Sequence, residues 1–442
     1  MQRRRTLAQL FAALVVVPLL ALLPATSAHA DAVPPTNYAP VSLSDMPEAS
    51  TVITDPSGGA TVGCSSTNQH RFRSFNAQGG VTQSQTTAAD TYSSFCGANA
   101  TVGKDGTVYV GHTTYSGYNP SGQYIQAWKN NSLVWQYEIP CGIYGFVWAM
   151  TMGADGNLYA VISQGGGSCW SNQLIGLSPG EKPSTNPPVP QEVMSQPIYA
   201  GSVAGYGLTA YNDGLTLYTS GGVQHVPYFG TWPDPVVVSD VTSGFVGAGS
   251  HWFETTTSGR TFLPTVANAG QSLGCSNPSG VTGSIKAVDP TAEGGIAWAI
   301  TLSPCVYVEE IHPSPNNGFV MRYSYTPATG GDPVEKVSAF DSSGNALWTK
   351  SILDVSGAGS YAMAVDLNGN VAIRSDVALY NEIEGSMYRF PEVGFMLLDG
   401  FSGVTLKQLT LRGEHDTIEG PSYKWGNIGE VSIANGTFYT TA

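Results

Sequence analysis

The stretch Ala287-Val-Asp-Pro-Thr-Ala-Glu-Gly-Gly-Ile-Ala-Trp-Ala-Ile300 decides how this chain is read. An apolar strand ends at Asp289, a Gly-containing turn reverses the direction, and a second strand carries Trp298. The same pattern returns at Val337-Ser-Ala-Phe-Asp-Ser-Ser-Gly-Asn-Ala-Leu-Trp348, and more loosely at Phe395-Met-Leu-Leu-Asp-Gly-Phe-Ser-Gly-Val404. Further copies fall near Asn76 to Val81, Trp128 to Trp135, Leu177 to Gly180 and Val238 to Phe245. A hairpin recurring at this interval is the mark of a radial array of small sheets.

A second hairpin type alternates with the first. It has an Asp/Asn-Gly turn and then a short apolar strand: Asp105-Gly106, Asp155-Gly156, Asp213-Gly214, Asn317-Gly318, Asn368-Gly369 and Asn435-Gly436, with Ser258-Gly259 as a looser copy. Gly and Asn tolerate the positive φ of tight turns, and the Tyr, Phe and Val that follow favour pleated strands. A single Asp-Gly lacks the spaced oxygens of a calcium loop, so these are turns and no metal is expected there. If the strands of a blade are named A to D outward, the second type joins A to B and the first joins C to D. The series opens with a lone C–D hairpin near Arg71 and ends with a lone A–B hairpin. The expected fold is therefore all-β: a single β-propeller of about seven four-stranded blades, with the N- and C-terminal strands sharing one blade and closing the ring.

The Ala-x-Asp…Gly…Trp hairpins resemble the blade repeats of the quinoprotein propellers. That group includes dehydrogenases using pyrroloquinoline quinone and non-enzymatic outer-membrane assembly scaffolds. The resemblance spans Arg71 to Ala442 and is closest at Val288–Trp298 and Val337–Trp348. It implies that Asp289, Gly295, Trp298, Asp341, Gly344 and Trp348 dock one blade onto the next. Enzymes of that group often cover the quinone with adjacent cysteines, and this chain has none. The non-enzymatic branch is thus the better fit, and no cofactor is expected.

Residues 1–30 read as a signal peptide. Arg3, Arg4 and Arg5 precede an apolar run from Leu7 to Leu23, and Ala28-His29-Ala30 offers a small-x-small cleavage pattern. A secreted or extracytoplasmic location follows, with no membrane span in the mature form. Residues 31–70, rich in Pro, Ser and Thr, read as an extended N-terminal arm, and 71–442 as the propeller. The 53 glycines suit many short strands joined by turns. The formal charge is −14, and no basic stripe occurs beyond the N-terminus, which argues against nucleic acid as a partner. A monomer is expected.

The B–C and D–A connections are longer than the A–B turns, and long loops on a rigid scaffold carry binding residues. They hold clustered aromatic and ionisable groups. The candidate binding residues are His112, Tyr115, Tyr118, Trp170, His225, Tyr228, Trp232, Glu309, His312, Tyr380, Glu382, Tyr388, His415 and Trp425. Rings beside carboxylates suit sugars or peptides. The expected function is non-catalytic binding of a polysaccharide, peptide or exported protein. An extracellular glycosidase or lyase using Glu309, Glu310 and His312, or His415 and Asp416, is the alternative, and a quinoprotein-type oxidoreductase stands third.

Six cysteines in an exported chain imply disulfides. None is spaced Cys-x-x-Cys, so a zinc site is not expected. On the register above, Cys64 and Cys96, Cys141 and Cys169, and Cys275 and Cys305 each flank strands of one blade. Bridges of that span contribute about 3–4 kcal/mol each. Mass spectrometry of non-reduced peptides should find these three local pairs, and a pairing between blades would overturn the register.

Overall fold

The computed structural model describes residues 51–54, 58–63, 71–86, 100–116, 119–140, 146–164, 171–182, 188–198, 207–219, 222–229, 254–266, 283–303, 306–325, 334–352, 360–383, 386–412, 416–417, 431–434 and 437–440. The molecule is an all-β, seven-bladed propeller of mostly four-stranded antiparallel sheets.

Blade 1 contains β1 (Thr51–Thr54), β2 (Ala60–Gly63), β3 (Arg71–Phe75) and β4 (Val81–Thr86). Blade 2 contains β5 (Ala100–Val102), β6 (Val108–Ser116), β7 (Asn119–Lys129) and β8 (Ser132–Glu138). Blade 3 contains β9 (Phe146–Met152), β10 (Leu158–Gln164), β11 (Ser171–Lys182) and β12 (Val189–Ile198). In blade 4 the described strands are β13 (Gly207–Tyr211), β14 (Gly214–Thr219) and β15 (Gly222–Pro227). In blade 5 they are β16 (Thr261–Val266), β17 (Gly283–Val288) and β18 (Ile296–Thr301), and a bridge from Thr255 to Thr261 marks the inner edge. Blade 6 contains β19 (Val306–Pro313), β20 (Phe319–Tyr325), β21 (Val334–Phe340) and β22 (Ala346–Ser351). Blade 7 contains β23 (Ser360–Val365), β24 (Val371–Ile383), β25 (Ser386–Leu398) and β26 (Thr405–Arg412), and β27 (Asp416–Thr417) pairs with β25. A C-terminal hairpin, β28 (Val431–Ala434) and β29 (Thr437–Thr440), lies against β23 on one side and β1 on the other.

The first strands of blades 1 to 4 touch in succession, as do those of blades 6 and 7. Each blade hides an apolar face against its neighbour. Ile125, Trp135 and Tyr109 of blade 2 meet Leu158, Ile162 and Ile175 of blade 3, and Tyr159, Val161 and Leu174 pack on Leu215, Leu217 and Val226 of blade 4. Phe262 and Ile285 of blade 5 meet Phe319 and Met321 of blade 6, whose other face packs Val320 and Val337 on Val371 and Ile373. Burial of each such side chain stabilises the ring by about 1.5–3 kcal/mol.

Polar hand-offs supplement this packing. The Asp341 carboxylate accepts the amides of Ser343 (2.8 Å) and Asn345 (2.9 Å), which folds the C–D turn of blade 6. The indole of Trp298 in blade 5 then donates to the Ser342 carbonyl of that turn (2.9 Å), and Trp348 donates likewise to Gly400 of blade 7 (2.8 Å). Gly344 sits at φ +82°, and a Cβ there would stand 2.9 Å from Ile300 Cγ2 and 3.2 Å from the Trp298 ring. The Asp, Gly and Trp pattern is therefore a blade-to-blade docking device.

The A–B turns of blades 2 to 7 fall where the sequence places them, and the acidic residues in them fold turns; Asn435-Gly436 lies outside the described residues. Asp366, for example, accepts the amides of Asn368 and Asn370. Three expectations need correction. Residues Thr51–Gly63, read as part of an arm, form β1 and β2, with Val52, Ala60 and Val62 buried. The inner strands beside β3 therefore come from this segment, and among the described residues the C-terminal hairpin forms a two-stranded sheet of its own. Leu177 to Gly180, read as a turn, lies within β11, which runs on to Lys182 through two register shifts. Its hairpin partner β12 reaches over blade 2. The Pro188 carbonyl just before β12 accepts the amide of Gln136 on the outer edge of β8 (3.0 Å), and Tyr137 donates to Glu192 (2.7 Å).

Trp348→Phe loses the bond to Gly400 and part of the indole's packing, so chemical denaturation should show a loss of at least about 1 kcal/mol. A Gly344→Val variant should lose more, because it combines a positive φ with a blocked approach.

Candidate functional site

Two arrangements gather the chemistry-bearing side chains. The first lies in the wall of blades 5 to 7. The sequence suggests a loop at Glu309-Glu310-Ile311-His312, but these residues lie on β19, the innermost strand of blade 6. A register shift between Val308 and Glu310 accommodates Glu309 as an extra residue. Glu310 and His312 are buried.

The His312 ring donates from Nδ1 to Glu254 Oε2 (3.1 Å) and from Nε2 to Glu310 Oε1 (3.2 Å). Arg322 on β20 donates from Nε to Glu310 Oε2 (2.9 Å) and from Nη1 to Glu335 Oε2 (3.4 Å). The backbone amide of Met363 on β23 also reaches Glu310 Oε1 (3.2 Å). One chain of charge-assisted bonds therefore links the inner strands of blades 6 and 7 to Glu254, just before β16 of blade 5.

The environments differ along this chain. Burial opposes charge on His312, but Glu254 and Glu310 outweigh it and hold its pKa at about 10. Burial likewise opposes charge on Glu310, but His312 and Arg322 hold its carboxyl below the ordinary range. Glu309 and Glu335 are half-buried and stand above that range, chiefly through burial and despite Arg322. Sequence reasoning missed Glu254, Arg322 and Glu335. A lone arginine in the apolar run Phe319-Val-Met-Arg-Tyr-Ser-Tyr325 was the available signal.

The second arrangement projects from blade 7 on the face of the B–C connections. The β24–β25 ladder runs from Val371 paired with Leu398 to Ile383 paired with Ser386, whereas β23 accompanies β24 only to Asp376. The ribbon beyond Asp376 carries Tyr380, Glu382 and Tyr388, which the sequence assigned to a loop. Register sets Tyr380 opposite Arg389, and Arg389 opposite Asp416 of β27. Two stretches separate in the sequence, Tyr380 to Arg389 and Asp416-Thr417, are thus brought side by side. A shorter ribbon in blade 2, β6–β7, carries His112 and Tyr115.

Two other candidates are built into the scaffold. His225 on β15 is buried, shares a hydrogen bond between Nδ1 and Thr216 Oγ1 (3.2 Å), and is pushed down to about 4 by burial. The Tyr228 hydroxyl accepts the Ala154 amide (2.8 Å) and donates to the Tyr211 carbonyl (3.0 Å), while its ring stacks on Tyr159. It latches blade 4 to blade 3. Tyr118, Trp170, Trp232, His415, Trp425 and all six cysteines lie outside the described residues.

Neither a protein-family model nor any curated protein sequence matches the chain. Solved structures are similar in fold. A eukaryotic initiation factor matches at 9% identity and a TM-score of 0.46, over 87% of this chain and 92% of its own. One of two prolyl endopeptidases matches at 12% and 0.48, over 85% of this chain and 51% of its own. The polysaccharide lyase Uly1 matches at 9% and 0.40, over 86% and 92%. These proteins share an architecture with the chain and nothing finer.

The wall cluster makes stability depend on pH. The folded value of His312 lies above the ordinary 6.5, so its contribution is full below 6.5 and is lost as pH rises through about 10. Glu310, depressed, contributes above its ordinary value and loses that contribution on acidification. Stability measured by denaturant titration should fall from neutral pH toward about 10. His312→Gln should remove most of that alkaline slope and cost about 3–5 kcal/mol at neutral pH, because Glu310 and Glu254 lose their shared partner.

Proposed function

We propose that this chain is an exported, non-catalytic binding propeller that holds a polysaccharide, a peptide or another exported protein on the face where β24–β25 and β6–β7 project. The observation that carries this reading is the convergence of Tyr380, Arg389 and Asp416 in one row across β24, β25 and β27. A tyrosine, an arginine and an aspartate at adjacent register positions of a ribbon anchored in a rigid blade are the residue types suited to stacking and directional hydrogen bonding. The resemblance of the Asp, Gly and Trp hairpins to the quinoprotein propellers agrees with a scaffold role.

The wall cluster supports binding over turnover. His312 is protonated at neutral pH with both ring nitrogens donating, so it has no lone pair with which to take a proton. Glu310 is engaged by His312, Arg322 and the Met363 amide. One observation favours the second reading, a carbohydrate-active enzyme: Glu309 and Glu335 both have raised pKa values, as a general acid requires.

Thermal shifts of the oxidised protein against soluble polysaccharides, and against calcium with pyrroloquinoline quinone, separate these readings. A ligand at a hundredfold excess over its Kd adds about 2.7 kcal/mol. A polysaccharide shift that Tyr380→Ala and Arg389→Ala abolish, with no product released, is the expected result. Product release lost in Glu309→Gln would establish the enzyme instead, and a shift only with the quinone would restore the oxidoreductase.

A further inference from the structure

The outer rim of blade 5 offers a second surface, independent of the face discussed above. Its last described strand, β18, reads Ile296-Ala297-Trp298-Ala299-Ile300-Thr301, with no charge and no proline. Among the described residues β18 pairs with β17 alone, at the end of the order β16-β17-β18. The Leu302 amide bonds the Gly283 carbonyl (2.8 Å), which sets the phase of the ladder. The amides of Ile300 and Trp298 therefore point toward β17, and those of Ala299 and Thr301 point outward. Ala299 and Thr301 are also exposed. Proteins ordinarily blunt such an edge with lysine, proline or a covering segment.

The molecule shows what fits an edge of this kind. On β8 the bond from the Ile139 amide to the Gln123 carbonyl sets the same phase, so the Gln136 amide points outward. That amide is taken by the Pro188 carbonyl of the blade 3 hairpin. An extended segment thus takes one outward amide on the rim of blade 2, and β18 has no counterpart among the described residues.

We propose that β18 docks an extended segment of a partner protein as an added strand. The partner's chemistry follows from charge and shape. Exposed Ala297 and Ala299 leave room for larger alternating side chains, and a chain of formal charge −14 favours a basic segment over an acidic one. The same charge opposes a second copy of this chain.

The probe is a blocked peptide of alternating valine and threonine with lysine at each end, set against the same peptide ending in glutamate. Hydrogen exchange over residues 296–301 of the full chain reports occupancy. The lysine peptide is expected to slow exchange at Ala299 and Thr301, and the glutamate peptide to do so at least about tenfold less tightly. Ala299→Pro removes an outward amide and leaves the inner ladder intact, so it should abolish protection while the melting transition stays cooperative. Ala299→Lys, which keeps every backbone bond, should weaken the lysine peptide. No protection at saturating lysine peptide, or equal protection in Ala299→Pro, overturns the proposal. Protection without peptide that grows with protein concentration also overturns it, because the edge would then belong to a second copy.

Discussion

Every sheet in this molecule has two faces to cover, and no α-helix among the described residues covers them. The chain meets that constraint by turning each blade into the cover of the next, so that Leu158 and Ile175 shield one neighbour while Val161 and Leu174 shield the other. Stacking of this kind needs a fixed angle between successive sheets. Carboxylate-folded turns and indole donors supply it, since Trp298 and Trp348 each reach a carbonyl in the turn of the following blade. The apolar faces contribute most of the free energy, and the directional bonds select one arrangement of them.

The wall formed by blades 5 to 7 follows another logic. Glu310, His312 and Arg322 are buried charges, and removing them from water costs several kcal/mol per ion before any pairing. They are tolerated because each charge finds at least two partners, several on other strands. Such a network adds little net stability, but it punishes any displacement of β19 relative to Glu254 or Met363. Glu309 and Glu335 remain less well compensated beside it.

Much of the ring was legible because turns and indoles are local signals. Asp289 to Trp298 and Asp341 to Trp348 encode their hairpins within a dozen residues, and the A–B turns are shorter still. What was not legible depended on partners distant in the chain. Ala60-Thr-Val-Gly63 is too short and too close to Pro-, Ser- and Thr-rich sequence to declare itself a strand until Phe75 covers it. Glu309 to His312 looked like a solvated loop because its neutralising groups sit on β20 and before β16. The ribbon carrying Tyr380 was read as irregular because an alternating polar strand beyond the edge of its blade has no apolar period.

The contact of β28 with β1 has a consequence for how the molecule is made. Each blade is assembled from strands consecutive in the chain, so its ladders require only short loop closures. The meeting of β1 and β28 instead spans nearly the whole polypeptide, at an entropic cost that grows only logarithmically with length. During synthesis β1 must therefore wait for β28 before that side of it is covered.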